Sequence, residues 1–242
     1  MGFLINILKM SNFSFIHSFL LTIPYLSFYL TFYVYNKDVF FLRAKSHQKI
    51  DLYIYFVIIT SILFMIWNSF FHEFLFLGLK ISKDTTFFND KFITFLGISL
   101  AVVGWLFTVR SQLITNMKNH SIQTIMNARL SDCYNEKFDR IYAILENEKS
   151  LTLENYEAFT SDHKSVVHYI LNYYEFIAIG LRYNEFDEQI VKSMMRSQIL
   201  KTYITFEEVI NYSHQESLTY FEHFIALHQR WNQVIPFDDN ET

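Results

Sequence analysis

His163 and His168 stand five residues apart, as do His223 and His228. Two metal ligands share a helical face at a spacing of three or four, so neither pair reads as a ligand set. The chain has no His-Glu-x-x-His. Its single cysteine, Cys133, excludes an internal disulfide and a multi-cysteine zinc site. Beside a histidine, Cys133 could act as a nucleophile; on the apolar side of a helix it reads more simply as packing. Five glycines scattered over the chain cannot form a phosphate-cradling loop. No arginine is followed by a histidine with four to six residues between them, the spacing of helical antiviral ribonucleases. The expectation is a protein that is not an enzyme and uses no metal and no cofactor.

Glu175, in "YYEFIAIG", has apolar neighbours on both sides, so a helix would bury it. A buried carboxylate needs a partner, and Arg182, Arg196 or a tyrosine hydroxyl can supply one. With no second catalytic group beside it, it reads as a structural brace between helices; the alternative is an acid working with a histidine. His72 and Glu73 end an uncharged run, and "FLFLGL" follows them. If the apolar stretch continues, they are intramembrane polar residues facing a pore or partner. If it stops, they mark the membrane interface. Gly97 and Ala101, four apart, with Gly104 three further on, make a small-residue face that lets helix backbones approach closely. That face suits contact between subunits in a homo-oligomer, or packing against other helices of the same chain.

The elements that would carry these residues follow from composition. The chain of 242 residues is 51% hydrophobic and 19% aromatic, with only 5 Gly and 2 Pro to make turns. Helices are the default, and the expected class is all-α. Uncharged runs cover Met10–Asn36, Leu52–His72 and Phe92–Val109, and even the last, of 18 residues, spans roughly 27 Å as a helix. Three transmembrane helices are predicted, over about 12–36, 52–75 and 91–110, the first bent at Pro24. The first run is too long for a signal-peptide core and lacks an Ala-x-Ala exit, so it reads as retained.

Residues 1–110 form the predicted membrane domain and 111–242 a cytoplasmic helical bundle. The first carries nine Lys/Arg and five acids; of the chain's 20 and 24, eleven and nineteen remain for the second, a net −8. Such an acidic domain offers no broad basic surface, so direct nucleic-acid binding is not expected. Lys37, Arg43, Lys45, Lys49, Arg110 and Lys118 lie on one side of the bilayer, against Lys9, Lys80, Lys83 and Lys91 on the other. The positive-inside rule then places 37–51 and 111–242 in the cytoplasm of a multi-pass inner-membrane protein. Beyond Arg110 the third span continues as a helix over about 111–147, in one piece or broken around 118–121. Ser161-Asp162 caps the next helix and Asp187 caps one that runs to about Tyr212. A last helix covers about 215–233.

The stretches "NYYEFIAIGLRYNEFDE", Asn172 to Glu188, and "MMRSQI", with Met195 and Arg196, carry a resemblance. Over about residues 100–212 the chain resembles a bacterial family of uncharacterised small proteins that place membrane helices before a short helical domain. That group includes the pore-forming accessory protein of type VI-B CRISPR phage-defence systems. The resemblance implies no catalytic residues. It implies a homo-oligomeric pore or membrane-depolarising effector in phage defence, gated by its cytoplasmic domain. Its partners would be the lipid bilayer, further copies of itself and a cytosolic defence protein or nuclease. The acidic domain supports an alternative, a membrane-anchored scaffold or sensor that docks such a partner through complementary charge.

Overall fold

The computed structural model describes residues 19, 22–34, 38–70, 90–145 and 150–232. Among the described residues every regular element is a helix. They are α1 (22–34), α2 (Ser46–Phe70), α3 (Asp90–Arg129), α4 (Asp132–Ile144), α5 (Leu153–Ala158), α6 (Ser161–Arg182), α7 (Glu188–Thr205), α8 (Glu207–Glu216) and α9 (Glu222–Asn232). The chain divides into two compact units, Met1–Asp38 with Lys45–Ile114, and Val39–Ala44 with Thr115–Thr242.

In the first unit, α2 and α3 are both long and apolar enough to cross a membrane, through His47–Trp67 and within Ile93–Arg129. Only 11% of the apolar window of α2 and none of that of α3 is buried, whereas a soluble protein's core helix would be covered. Of the predicted first span, 22–34 is helical. Aromatic rings hold the helices together: Tyr25 meets Phe56 at 5.2 Å, Phe28 meets Tyr55 at 4.8 Å and Phe64 meets Phe95 at 4.4 Å. Thr60 donates its hydroxyl to the Phe56 carbonyl, which leaves the same oxygen to accept from the Tyr25 hydroxyl at 2.8 Å.

The helix α3 is unbroken through 118–121, where a break was one of two expectations. Within it the Ser121 hydroxyl donates to the Met117 carbonyl and accepts from the Asp187 N–H, each at 2.8 Å, which ties this turn to the cap of α7. The break falls instead at Leu130–Ser131, with Ser131 in extended backbone.

In the second unit, α6 is the central element, packed on α4 and α9, while α7 packs on α8 and α9. Val166, Ile170, Tyr174, Ile177 and Leu181 recur at helical spacing and are wholly buried. The helix starts at Ser161, and its cap is Thr160, whose hydroxyl accepts from the His163 N–H, rather than the predicted Ser161-Asp162 pair. Asp187 caps α7 as expected, accepting from the Ile190 N–H at 3.0 Å. That helix ends at Thr205 and not near Tyr212. The Thr205 carbonyl accepts from the Leu151 N–H at 2.8 Å, and buried Phe206 turns the chain into α8. The last helix begins at Glu222 rather than near 215, after a turn in which Phe221 takes a positive φ of 56°.

Between α6 and α7, Asn184 also has a positive φ, 57°. The Glu185 N–H donates to the Gly180 carbonyl and the Asn184 N–H to that of Leu181, the double bond pattern of a left-handed helix end. This turn lays the Phe186 ring on Gly180 so closely that an added Cβ would stand 2.2 Å from it.

Candidate functional site

Both ends of α9 are held by charged side chains from other helices. At its start, Glu175 of α6 accepts from the Phe224 N–H at 2.7 Å and the His223 N–H at 3.3 Å. These are donors that the helix cannot satisfy itself, and a carboxylate there also meets the positive end of the helix dipole. At its finish, Arg196 of α7 donates to the Trp231 carbonyl at 3.1 Å. The buried Arg196 Nε has no hydrogen-bond partner among the described residues. Glu175 therefore braces helices, through backbone N–H groups rather than through Arg182, Arg196 or a tyrosine hydroxyl. Burial pushes its carboxyl up from the usual range, partly offset by the two N–H bonds; Glu222 raises it further and the Arg182 charge lowers it.

Arg182 does something else. Its Nη1 donates to His223 Nδ1 at 2.7 Å and its Nε to the Phe40 carbonyl at 3.3 Å. Because a guanidinium only donates, His223 Nδ1 must be the acceptor and the ring hydrogen sits on Nε2, 3.2 Å from Glu222. Burial and the Arg182 charge lower the His223 pKa against the pull of Glu222.

The Phe40 carbonyl belongs to the strap Val39–Ala44, which lies between α1 and α2 in sequence and packs in the second unit. The Leu42 N–H donates to the Arg182 carbonyl at 2.7 Å, and the Asn184 amide donates to the Arg43 carbonyl. The Arg230 guanidinium lies over the Phe40 and Phe41 rings, 4.6 and 5.1 Å from their centroids. It also grips Glu188 at 2.7 and 3.1 Å, and Trp231 Nε1 donates to the same carboxylate at 3.0 Å. Burial pushes the Glu188 carboxyl up, but these bonds outweigh it and hold it below its usual value.

Apart from the Arg230–Glu188 ion pair, the charged groups of this cluster bond the backbone of α9 and of the strap and the His223 ring, an arrangement that positions helices and a strap. Among the described residues no three His, Cys, Asp or Glu side chains converge as a metal site would require. His168 bonds the Tyr156 hydroxyl at 2.8 Å, and His228 stacks on Tyr203 with ring centroids 3.7 Å apart. The buried hydroxyl of Tyr173 has no hydrogen-bond partner among the described residues, and burial raises the pKa values of both Tyr173 and Tyr174. Cys133 is exposed, contrary to the packing role expected of it. The buried face of α4 runs through Tyr134 and Ile141, seven residues apart, and Cys133 is one position off it.

Gly97, Ala101 and Gly104 are exposed along α3. A Cβ added at Gly97 or Gly104 would meet no described atom within 4 Å. His72 and Glu73 lie outside the described residues. The docked strap was missed from sequence. Its one signal was the position of Arg182 at a helix end, and nothing local pointed from there to Phe40 or His223.

The helix α3 and the bundle that follows it coincide with a recognised sequence family, described as a domain of unknown function, whose profile matches residues 93–231. The chain belongs to the DUF4760 family. No curated protein and no solved structure matches it. The DUF4760 region contains Glu175, Arg182, Arg196 and Arg230, while the strap that packs on Arg182 and Arg230 lies outside it.

Proposed function

We propose that the protein is a multi-pass inner-membrane effector of bacterial phage defence. It assembles as a homo-oligomer that forms a pore or depolarises the membrane, with the bundle of the second unit in the cytoplasm as its gate. The observation that carries this reading is the exposed face of Gly97, Ala101 and Gly104 on a helix able to cross a bilayer. Small residues facing lipid gain little there, whereas a second helix can approach them closely and gain dispersion contacts. The resemblance of "NYYEFIAIGLRYNEFDE" to the phage-defence group adds the biological setting. His72 and Glu73 are the polar residues assigned to the conduction path. The protein acts without enzymatic chemistry, cofactor or nucleic-acid contact.

Conductance of the purified protein in planar bilayers tests the reading, together with membrane potential in cells challenged with phage. Stepwise conductance and depolarisation are expected. A stable oligomer with neither counts against the pore.

The net −8 of residues 111–242 favours a second reading, a membrane-anchored scaffold that docks a basic cytosolic partner. Capture of such a partner by the full-length protein in low salt and its loss in high salt, without conductance, would decide for it.

A further inference from the structure

We propose that His223 is a proton-operated latch on the strap Val39–Ala44: the neutral ring holds Arg182 in place to grip the strap, and the protonated ring releases it. The proposal is independent of whether the protein conducts.

Arg182 is the shared element. Its backbone carbonyl accepts from the Leu42 N–H, its Nε donates to the Phe40 carbonyl, and its Nη1 donates to His223 Nδ1. The last bond fixes the guanidinium plane, and the plane aims Nε at the strap. Proton addition at Nδ1 turns the acceptor into an N–H donor and sets two cations 2.7 Å apart. The bond is then lost and the guanidinium swings away from Phe40.

The groups facing the ring oppose one another. From α6 comes the Arg182 guanidinium and from the residue after it the Tyr183 ring, 6.4 Å away; from α9 comes Glu222, 3.2 Å from Nε2, while the Glu175 carboxylate bonds the His223 backbone N–H and not the ring. The strap contributes the Phe40 carbonyl to Arg182, and its own cation, Arg43, is paired with Glu185 at 3.1 Å. Burial and the Arg182 charge set the His223 pKa below its ordinary value, outweighing Glu222, which favours the protonated ring. The latch is thus closed at neutral pH and opens as the pH falls through that lowered value. Glu175 works in the opposite sense, since its raised pKa makes its own protonation favour the folded bundle. Loosening confined to the strap, with the rest of the bundle intact, therefore points to His223.

The test is hydrogen exchange of the full-length protein in lipid nanodiscs, read at the peptide containing Leu42 and at a control peptide from α7. In the wild type, protection at Leu42, corrected for intrinsic exchange, should fall about tenfold or more from about pH 7.5 to about pH 5, with α7 unchanged. His223→Gln keeps an acceptor without a titrating group and should hold the strap protected throughout. His223→Lys places a permanent cation there and should expose it at neutral pH. A wild-type profile that is flat, or a fall of equal size in His223→Gln, overturns the proposal. Should the variants fail to fold, the wild-type His223 ring resonance and the Leu42 amide must titrate with one midpoint; separate midpoints also overturn it.

Discussion

Arg110 of α3 donates to Asp51 of α2 at 2.5 Å, and each is the charge that borders its helix's apolar run. The uncharged stretch of α2 begins at Leu52 and that of α3 ends at Val109. The charge that closes one apolar run is thereby paired with the charge that opens the other. Both side chains are only partly exposed, at 32% and 21%, so the pair is worth more than a surface bridge. Asp51→Asn should lower unfolding stability in detergent by about 1–2 kcal/mol. The swap Asp51→Arg with Arg110→Asp should recover part of the loss, and no recovery would mean that the pair does not register the two helices.

Gly97→Leu with Ala101→Leu should weaken subunit association by about 1–2 kcal/mol, as in model membrane-helix pairs. Stability of the single chain should hardly change, because the open space at Gly97 leaves nothing for the new side chain to strike. Cross-linking and dilution series in detergent read the association. An unchanged ladder would remove this face from the interface. In a Cys133→Ser background, needed because Cys133 is exposed, Lys49→Cys should resist membrane-impermeant labelling from outside the cell.

Glu175→Ala should cost about 1–3 kcal/mol, since it orphans the N–H groups of His223 and Phe224. Glu175→Gln keeps one acceptor oxygen and should cost less. The pH dependence has a definite sign. With the folded pKa raised, the folded chain holds this proton more tightly than the unfolded one. The contribution of this group is fully present below the unfolded pKa and is lost as the pH rises through the folded value. Glu175→Gln should flatten that slope in chemical denaturation curves; an identical slope would assign it elsewhere.

Gly180→Ala should destabilise the second unit by about 1–3 kcal/mol through overpacking. The Phe186 ring, 4% exposed and set against Phe176 and His120, has little room to move from the added methyl. Combined with Phe186→Ala, the substitution should cost much less than the two separate effects together. Additive losses in thermal denaturation would show that the contact is not the cause.

Much of this was legible in the sequence because it depends on local pattern. Long uncharged runs marked α2 and α3, and Asp187 marked the start of α7. Glu175 stood out because a carboxylate between apolar neighbours must find partners. Which partners it finds was decided elsewhere. The N–H groups of His223 and Phe224 lie 48 and 49 residues away, and they point at Glu175 only because α9 starts after a left-handed turn at Phe221. The end of α7 likewise coincides with a distant bond, from the Leu151 N–H to the Thr205 carbonyl. The strap is the furthest case, with Phe40 and Arg182 separated by 142 residues. Short-range pattern fixes which residues must be covered, because burial is set by periodicity; what covers them depends on long-range hydrogen bonds and ring contacts that no local spacing encodes.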